Sequence, residues 1–307
     1  MPEPLRRRVR AALLRGASRC SGGAFDPLLR GALSSMVFAL RATRWEQAMV
    51  DNLATAFGAE LSEDERVEIA RGAATHTARL VREWLWMARA AESERWRRRV
   101  EEWIDENIEF DSSLELLRAR ASAGRGVLIA TAHLGNWELL AAGLRRRGFD
   151  GAVIGLRKRN DSSAEFIAQM RSALGVKSLS QDAPPREALR VLRSGGVLGV
   201  VCDLHARRLD NVEVPFFARP APTMTAPAAL ARASGLPLTL ARCVRVGERY
   251  RISVGPELEL DRTLERREAT AELLTRMNAE FERWIREQPA QWAWYHERWP
   301  RAATPLT

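Results

Sequence analysis

Lysine is nearly missing from this chain of 307 residues: only Lys158 and Lys177 stand among 48 basic residues. A base-biased genome is enough to produce that imbalance, so the ratio carries no argument for phosphate recognition. Cysteine is equally sparse. Cys20, Cys202 and Cys243 are scattered, odd in number and free of C-x-x-C or other metal spacing. This excludes a disulfide framework or a thiolate metal cluster and points to a reduced, cytoplasm-facing setting. No apolar run reaches the roughly 18 residues of a membrane-spanning helix. Arg15, Arg19, Asp26 and Arg30 interrupt the N-terminal stretch, and no sustained apolar core follows its first arginines, so a cleavable signal peptide fits poorly. Internal repeats and low-complexity tracts are absent.

What is present reads as globular. Hydrophobic residues make up 46% and charged residues 28%, with enough length for one large domain or two smaller ones. The net charge is +9 and the isoelectric point about 10.6, which favours anionic partners, either nucleic acid or an anionic lipid surface. No nucleic-acid-binding motif appears, and the arginines are spread along the chain instead of gathering on one element, so no nucleic-acid partner is expected. Leu5, Val9, Leu13 and Leu14 recur at helical spacing with arginines between them. They suit a helix lying on an anionic bilayer, or equally a solvated basic helix packed on the domain. Residues 29–40 are a second candidate for shallow insertion.

Residues 1–110 read as a helical, membrane-associating region. Ser62 followed by Glu65 forms a capping box, and Val67, Ile69, Ala70, Ala74, Ala78 and Val81 then recur at helical spacing. Residues 111–307 read as an α/β domain. Apolar runs at 126–132, 152–156, 197–203, 237–244 and 250–255 predict strands, with helices at 137–147, 161–174, 185–194, 223–234 and 263–287 between and around them. That alternation predicts a mixed, mainly parallel central sheet flanked by helices. Sites in such folds gather at the carboxyl ends of the strands.

Within "TAHLGNWELL", His133 and Glu138 form an H-x4-E pair. The spacing alone says little, since His205 and Asp210 repeat it. Its setting says more: the 126–132 run delivers His133 to a strand end, Gly135 permits a tight turn, and Asn136 is a good N-cap for a helix starting at Trp137. A carboxylate on one imidazole nitrogen fixes the tautomer and raises the basicity of the other, the general-base half of a catalytic triad. With no nucleophile nearby, the hydroxyl to be activated would belong to a substrate. The plainer alternative is a strand-end histidine satisfied by backbone, with Glu138 a helix-start charge.

"HLGNWELLA", "LRKRND", the stretch from "GGVLGVVCDLHARRLDN" to "PLTLARCVR", and "QPAQWAWYHERW" follow one another in this order. In that order the chain resembles the bacterial late lipid A acyltransferases, the lauroyl and myristoyl transferases of lipopolysaccharide assembly. The related phosphatidylinositol mannoside acyltransferases share the layout. The likeness covers roughly residues 45–300. It implies a glycerolipid acyltransferase-like fold, His133 as general base and Glu138 as its orienting carboxylate. It also implies substrate-side roles for Arg157 (or Lys158, if the alignment slips by one), for Asn160, and for Asp203, placed to position the histidine or an acceptor. Gln291, Trp292, Trp294, His296 and Arg298 match the family's C-terminal aromatic-basic block; those aromatics suit either an edge packed on the sheet or a membrane interface. Thr223 or Thr225 is read as capping the following helix.

The resemblance implies no metal or bound organic cofactor. Acyl carrier protein or acyl-CoA brings the acyl chain as co-substrate, and an anionic glycolipid, a lipid A precursor, accepts it at the cytoplasmic face of the inner membrane. An acyl-CoA-dependent enzyme acting on a mannolipid, ornithine lipid or lysophospholipid is the alternative. Members of the family usually begin with a clear membrane-spanning helix, which is weak or absent here, so a peripheral or shallowly inserted attachment is expected.

Overall fold

A computed structural model describes residues 3–22, 26–39, 41, 43–155, 162–204 and 209–299. Five helices come first: α1 (Glu3–Cys20), α2 (Asp26–Ala39), α3 (Arg44–Phe57), α4 (Glu63–Ala88) and α5 (Glu94–Asn107). The α/β part then runs β1 (Ile108–Phe110), α6 (Leu114–Ser122), β2 (Val127–Thr131), α7 (Trp137–Arg146), β3 (Gly151–Gly155), α8 (Ser162–Ala173), β4 (Lys177–Ser180), α9 (Pro185–Arg193) and β5 (Val197–Val201). A hairpin of β6 (Asn211–Phe216) and β7 (Arg219–Met224) follows, then α10 (Ala226–Ser234), β8 (Leu238–Val246), β9 (Arg249–Leu258) and α11 (Arg266–Glu287).

Seven strands form the central sheet in the order β1-β9-β8-β2-β5-β3-β4. Only the β8–β9 pair is antiparallel, and the hairpin makes a separate two-stranded sheet. Strand β2 lies at the centre, and all five of its residues are buried. A strand covered on both faces reads as an unbroken apolar run. Its alternate side chains feed two cores. Leu128 and Ala130 join helices α3, α9, α10 and α11, whereas Val127 and Ile129 join α5, α6, α7 and α8. Helix α4, 26 residues long, supplies Ala70, Ala73 and Ala74 to the first core and Met87 and Ala88 to the second. The helical lead-in thus shares its apolar interior with the sheet.

Local chemistry accounts for the ends of these elements. The Ser62 side chain accepts from the Glu65 amide while the Glu65 carboxylate accepts from the Ser62 amide, the reciprocal box expected. Asn136 caps α7 by accepting from the Leu139 amide. The expected caps of α10 differ. Thr225 holds the N-cap position but makes no side-chain capping bond, and Thr223 is buried in β7, where it accepts from Arg298. Among the described residues, no helix is long and apolar enough to cross a membrane.

Candidate active site

Strand register brings the central residues together. Thr131 of β2 stands opposite Val201 of β5, and the Cys202 amide continues that ladder by donating to the Thr131 carbonyl. His133 and Asp203 each lie two residues beyond this pair, so they leave adjacent strand ends side by side. His133 Nδ1 meets Asp203 Oδ1 at 2.7 Å, and the His133 amide donates to Oδ2 at 2.8 Å. The Trp292 indole N–H donates to the same Oδ2 at 2.7 Å. Burial alone would raise the Asp203 carboxyl. The charge and hydrogen bond of His133, with the Trp292 and backbone donors, outweigh it and hold the group below the usual carboxylate range.

The turn carrying His133 is held by backbone. Gly135 sits at φ +63°, and a β-carbon there would stand 2.0 Å from the Cys243 carbonyl oxygen. Only glycine permits that approach. The Asn136 amide donates to Cys243 O, the Gly135 amide to Gln291 O, and the Ala293 amide to His133 O. The segment 291–293 is therefore laced to the histidine turn, and Trp292 and Trp294 are fully buried there. This settles the packed-edge reading of the aromatic block for these two residues. His296 stands 5.8 Å from the His133 ring, centroid to centroid, on the exposed side.

Glu138 does not fill the expected role. Both of its oxygens accept from Arg171 of α8, from Nε and Nη2 at 2.7 Å each, and both side chains are buried. The reason is helical phase: successive residues of α7 point about 100° apart. Trp137 takes the face toward His133, its ring edge-to-face at 4.7 Å, and Glu138 is turned away. The carboxylate that orients His133 is Asp203. Arg157, Lys158 and Asn160 lie outside the described residues, as does His205.

Arg171 and Trp137 were not anticipated. Arg171 had a signal, since it lies beside Met170 and between Ile167 and Leu174 on the face of α8 that packs inward. A charge on an apolar face asks for a buried partner. Arg298, wholly buried, donates to Pro222 O and Thr223 Oγ1 and lies over the Phe216 ring. Burial pulls its guanidinium down to about 10, against the opposing pull of the nearby Asp203 carboxylate.

His133 opens onto a cleft of about 760 Å³ between the strand ends and helices α9 and α10. Its walls are mostly apolar, including Ile154, Leu189, Val200 and Leu230, with Arg171 among the few charged groups. Such a lining suits an alkyl chain with one polar end. No group of three or more metal-ligating side chains gathers among the described residues.

Over 150 residues the chain is 29% identical to the phosphatidylinositol mannoside acyltransferases of two Mycobacterium tuberculosis strains, CDC 1551 / Oshkosh and ATCC 25618 / H37Rv. Those matches take in 48% of this chain and 47% of each relative, so the chain spans about half the length of the curated relatives it matches. The family described as bacterial lipid A biosynthesis acyltransferase matches residues 28–301. With nearly the whole length covered, from α2 through the Trp292 segment, the chain belongs to the bacterial lipid A biosynthesis acyltransferase family.

Proposed function

We propose that this protein moves a fatty acyl chain from a thioester to a hydroxyl of an anionic glycolipid, with His133 as the general base and Asp203 as its orienting carboxylate. The observation that carries the reading is the buried Asp203 on His133 Nδ1, which leaves Nε2 to face an apolar cleft. Among the described residues, the groups set against the His133 ring are Asp203, Trp137 and His296, and none carries a hydroxyl or thiol. The attacking hydroxyl is therefore assigned to the acceptor. Nε2 takes its proton, the oxygen adds to the thioester carbonyl, the C–S bond breaks, and the thiolate recovers the proton from His133. Asp203 stays ionised and stabilises the imidazolium in between. Glu138 serves the site at one remove, holding Arg171 in the cleft wall. On the strength of the family resemblance, Arg157 and Asn160 are proposed to serve the substrate.

Acyl carrier protein is the proposed donor and a lipid A precursor the proposed acceptor, on the strength of the family. A mannolipid acceptor with acyl-CoA is the second reading, favoured by the name of the mycobacterial relatives. Mass spectrometry of lipid extracts from a deletion strain decides. Loss of one acyl chain from lipid A supports the first reading, and loss from a mannolipid the second. Unchanged lipids together with tight, salt-sensitive nucleic-acid binding would sink both.

A further inference from the structure

One face of α4 grips the histidine turn from behind. His76, Glu83 and Trp84 lie seven and eight residues apart, close to two helical turns, and all three reach residues 135–136. His76 Nε2 meets the Gly135 carbonyl at 3.2 Å. The Trp84 indole donates to Asn136 Oδ1 at 3.1 Å, and Asn136 Nδ2 donates to Glu83 Oε2 at 2.9 Å. Glu83 is buried and also accepts from Tyr250 OH and from Arg245 Nη2. Gln291 then ties Arg245 into the segment that carries Trp292.

An ionised carboxylate only accepts hydrogen bonds, whereas a carboxamide has one accepting and one donating end. Against Glu83, the Asn136 amide can sit only with Nδ2 inward. Its Oδ1 is then forced toward the Leu139 and Trp84 N–H groups, the arrangement that caps α7 and sets Trp137 edge-on to the His133 ring. Burial and the Glu83 charge push the Tyr250 phenol upward, so it remains a donor to the same carboxylate.

We propose that Glu83 is a positioning residue for acyl transfer, acting through Asn136 to fix the His133–Trp137 turn. The inference rests on the general-base reading of His133, and His133→Ala is the control that tells the two apart. Kinetics use the full chain with acyl-carrier-protein thioesters and a lipid A precursor, and with acyl-CoA and a phosphatidylinositol mannoside. Glu83→Gln is expected to lower kcat at least about tenfold while the donor KM changes less than about threefold. Hydrogen exchange at the Leu139 amide, read without substrate, should quicken by a similar factor as the cap loosens. In the Glu83→Gln/Asn136→Asp double variant the carboxylate moves to position 136, still caps Leu139 and accepts from the carboxamide now at position 83. Both readouts should return to within about threefold of the original.

The proposal falls if Glu83→Gln keeps the original kcat and Leu139 protection while His133→Ala is inactive. It also falls if Glu83→Gln loses kcat with Leu139 protection intact, or if the double variant rescues neither. If His133→Ala itself turns over normally, the acyl-transfer reading fails; Leu139 exchange still judges the Glu83–Asn136 link.

Discussion

Asp203 carries its charge in full burial, and that cost is met by three donors, two of them from His133. Exchanging it for asparagine keeps the shape but removes the charge that stabilises the imidazolium. Asp203→Asn is therefore expected to lower kcat at least about 100-fold with little change in the KM for the acyl donor, measured by steady-state kinetics. His76 makes a separate prediction about stability. Burial lowers its pKa from the ordinary 6.5 to about 4, with Arg245 and Arg79 adding to the effect against the opposing Gly135 hydrogen bond. The unfolded chain then takes up this proton first. The neutral form costs nothing above pH 6.5, and stability is lost as pH falls from 6.5 toward 4, by about 3 kcal/mol in all. Denaturation of His76→Gln, which keeps a donor for Gly135, should show a pH dependence flatter than the original by that amount over the same window.

Turns and strand ends set the site's geometry. Gly135→Ala would force a positive φ on a residue with a β-carbon and press that carbon into Cys243 O. A loss of at least about 3 kcal/mol in chemical denaturation is expected, with the activity of whatever remains folded reduced as well. The five apolar strands, the Ser62 box and the Asn136 cap were legible because apolar runs, full in β2 and alternating in β9, and capping residues leave strong local signals. Other elements were not, the short helix α6 (Leu114–Ser122) among them. Strand β1 is three residues long at the edge, and β4 (Lys177–Ser180) is a polar edge strand. The β6–β7 hairpin hides behind Pro215, Pro220 and Pro222, residues that ordinarily argue against a strand. Spacing misread the partner of His133 for a related reason, although the family resemblance already gives Asp203 as positioning the histidine or an acceptor. Sequence spacing favoured Glu138, five residues away, whereas the register of β2 on β5 supplies Asp203 from 70 residues away. Long-range pairing of that kind leaves no trace in local periodicity.

Across the molecule, large exposed apolar groups gather on the first two helices, and basic groups line the neighbouring groove. Leu13, Leu28, Met36 and Phe38 are among the large apolar side chains left exposed, and Arg30, Arg41, Arg79 and Arg82 line the groove between α2 and α4. We take this face as the proposed contact with the inner-membrane surface, where apolar burial and anionic headgroups reinforce each other. In liposome co-sedimentation, binding should be stronger to vesicles with anionic lipid than to zwitterionic ones and should weaken as salt is raised. Leu28→Asp/Phe38→Asp should reduce it at least about tenfold.

The lacing of residues 291–293 onto the histidine turn has a consequence for the timing of synthesis. A nascent chain that has not yet reached Trp292 already contains His133, Asp203 and both walls of the cleft. It lacks the indole that completes the Asp203 oxygen and the amide that anchors the His133 carbonyl. Translation therefore delivers these finishing parts well after the residues they complete, and the hydrogen bonds around Asp203 and the His133 turn stay unfinished until residues 291–293 have been made.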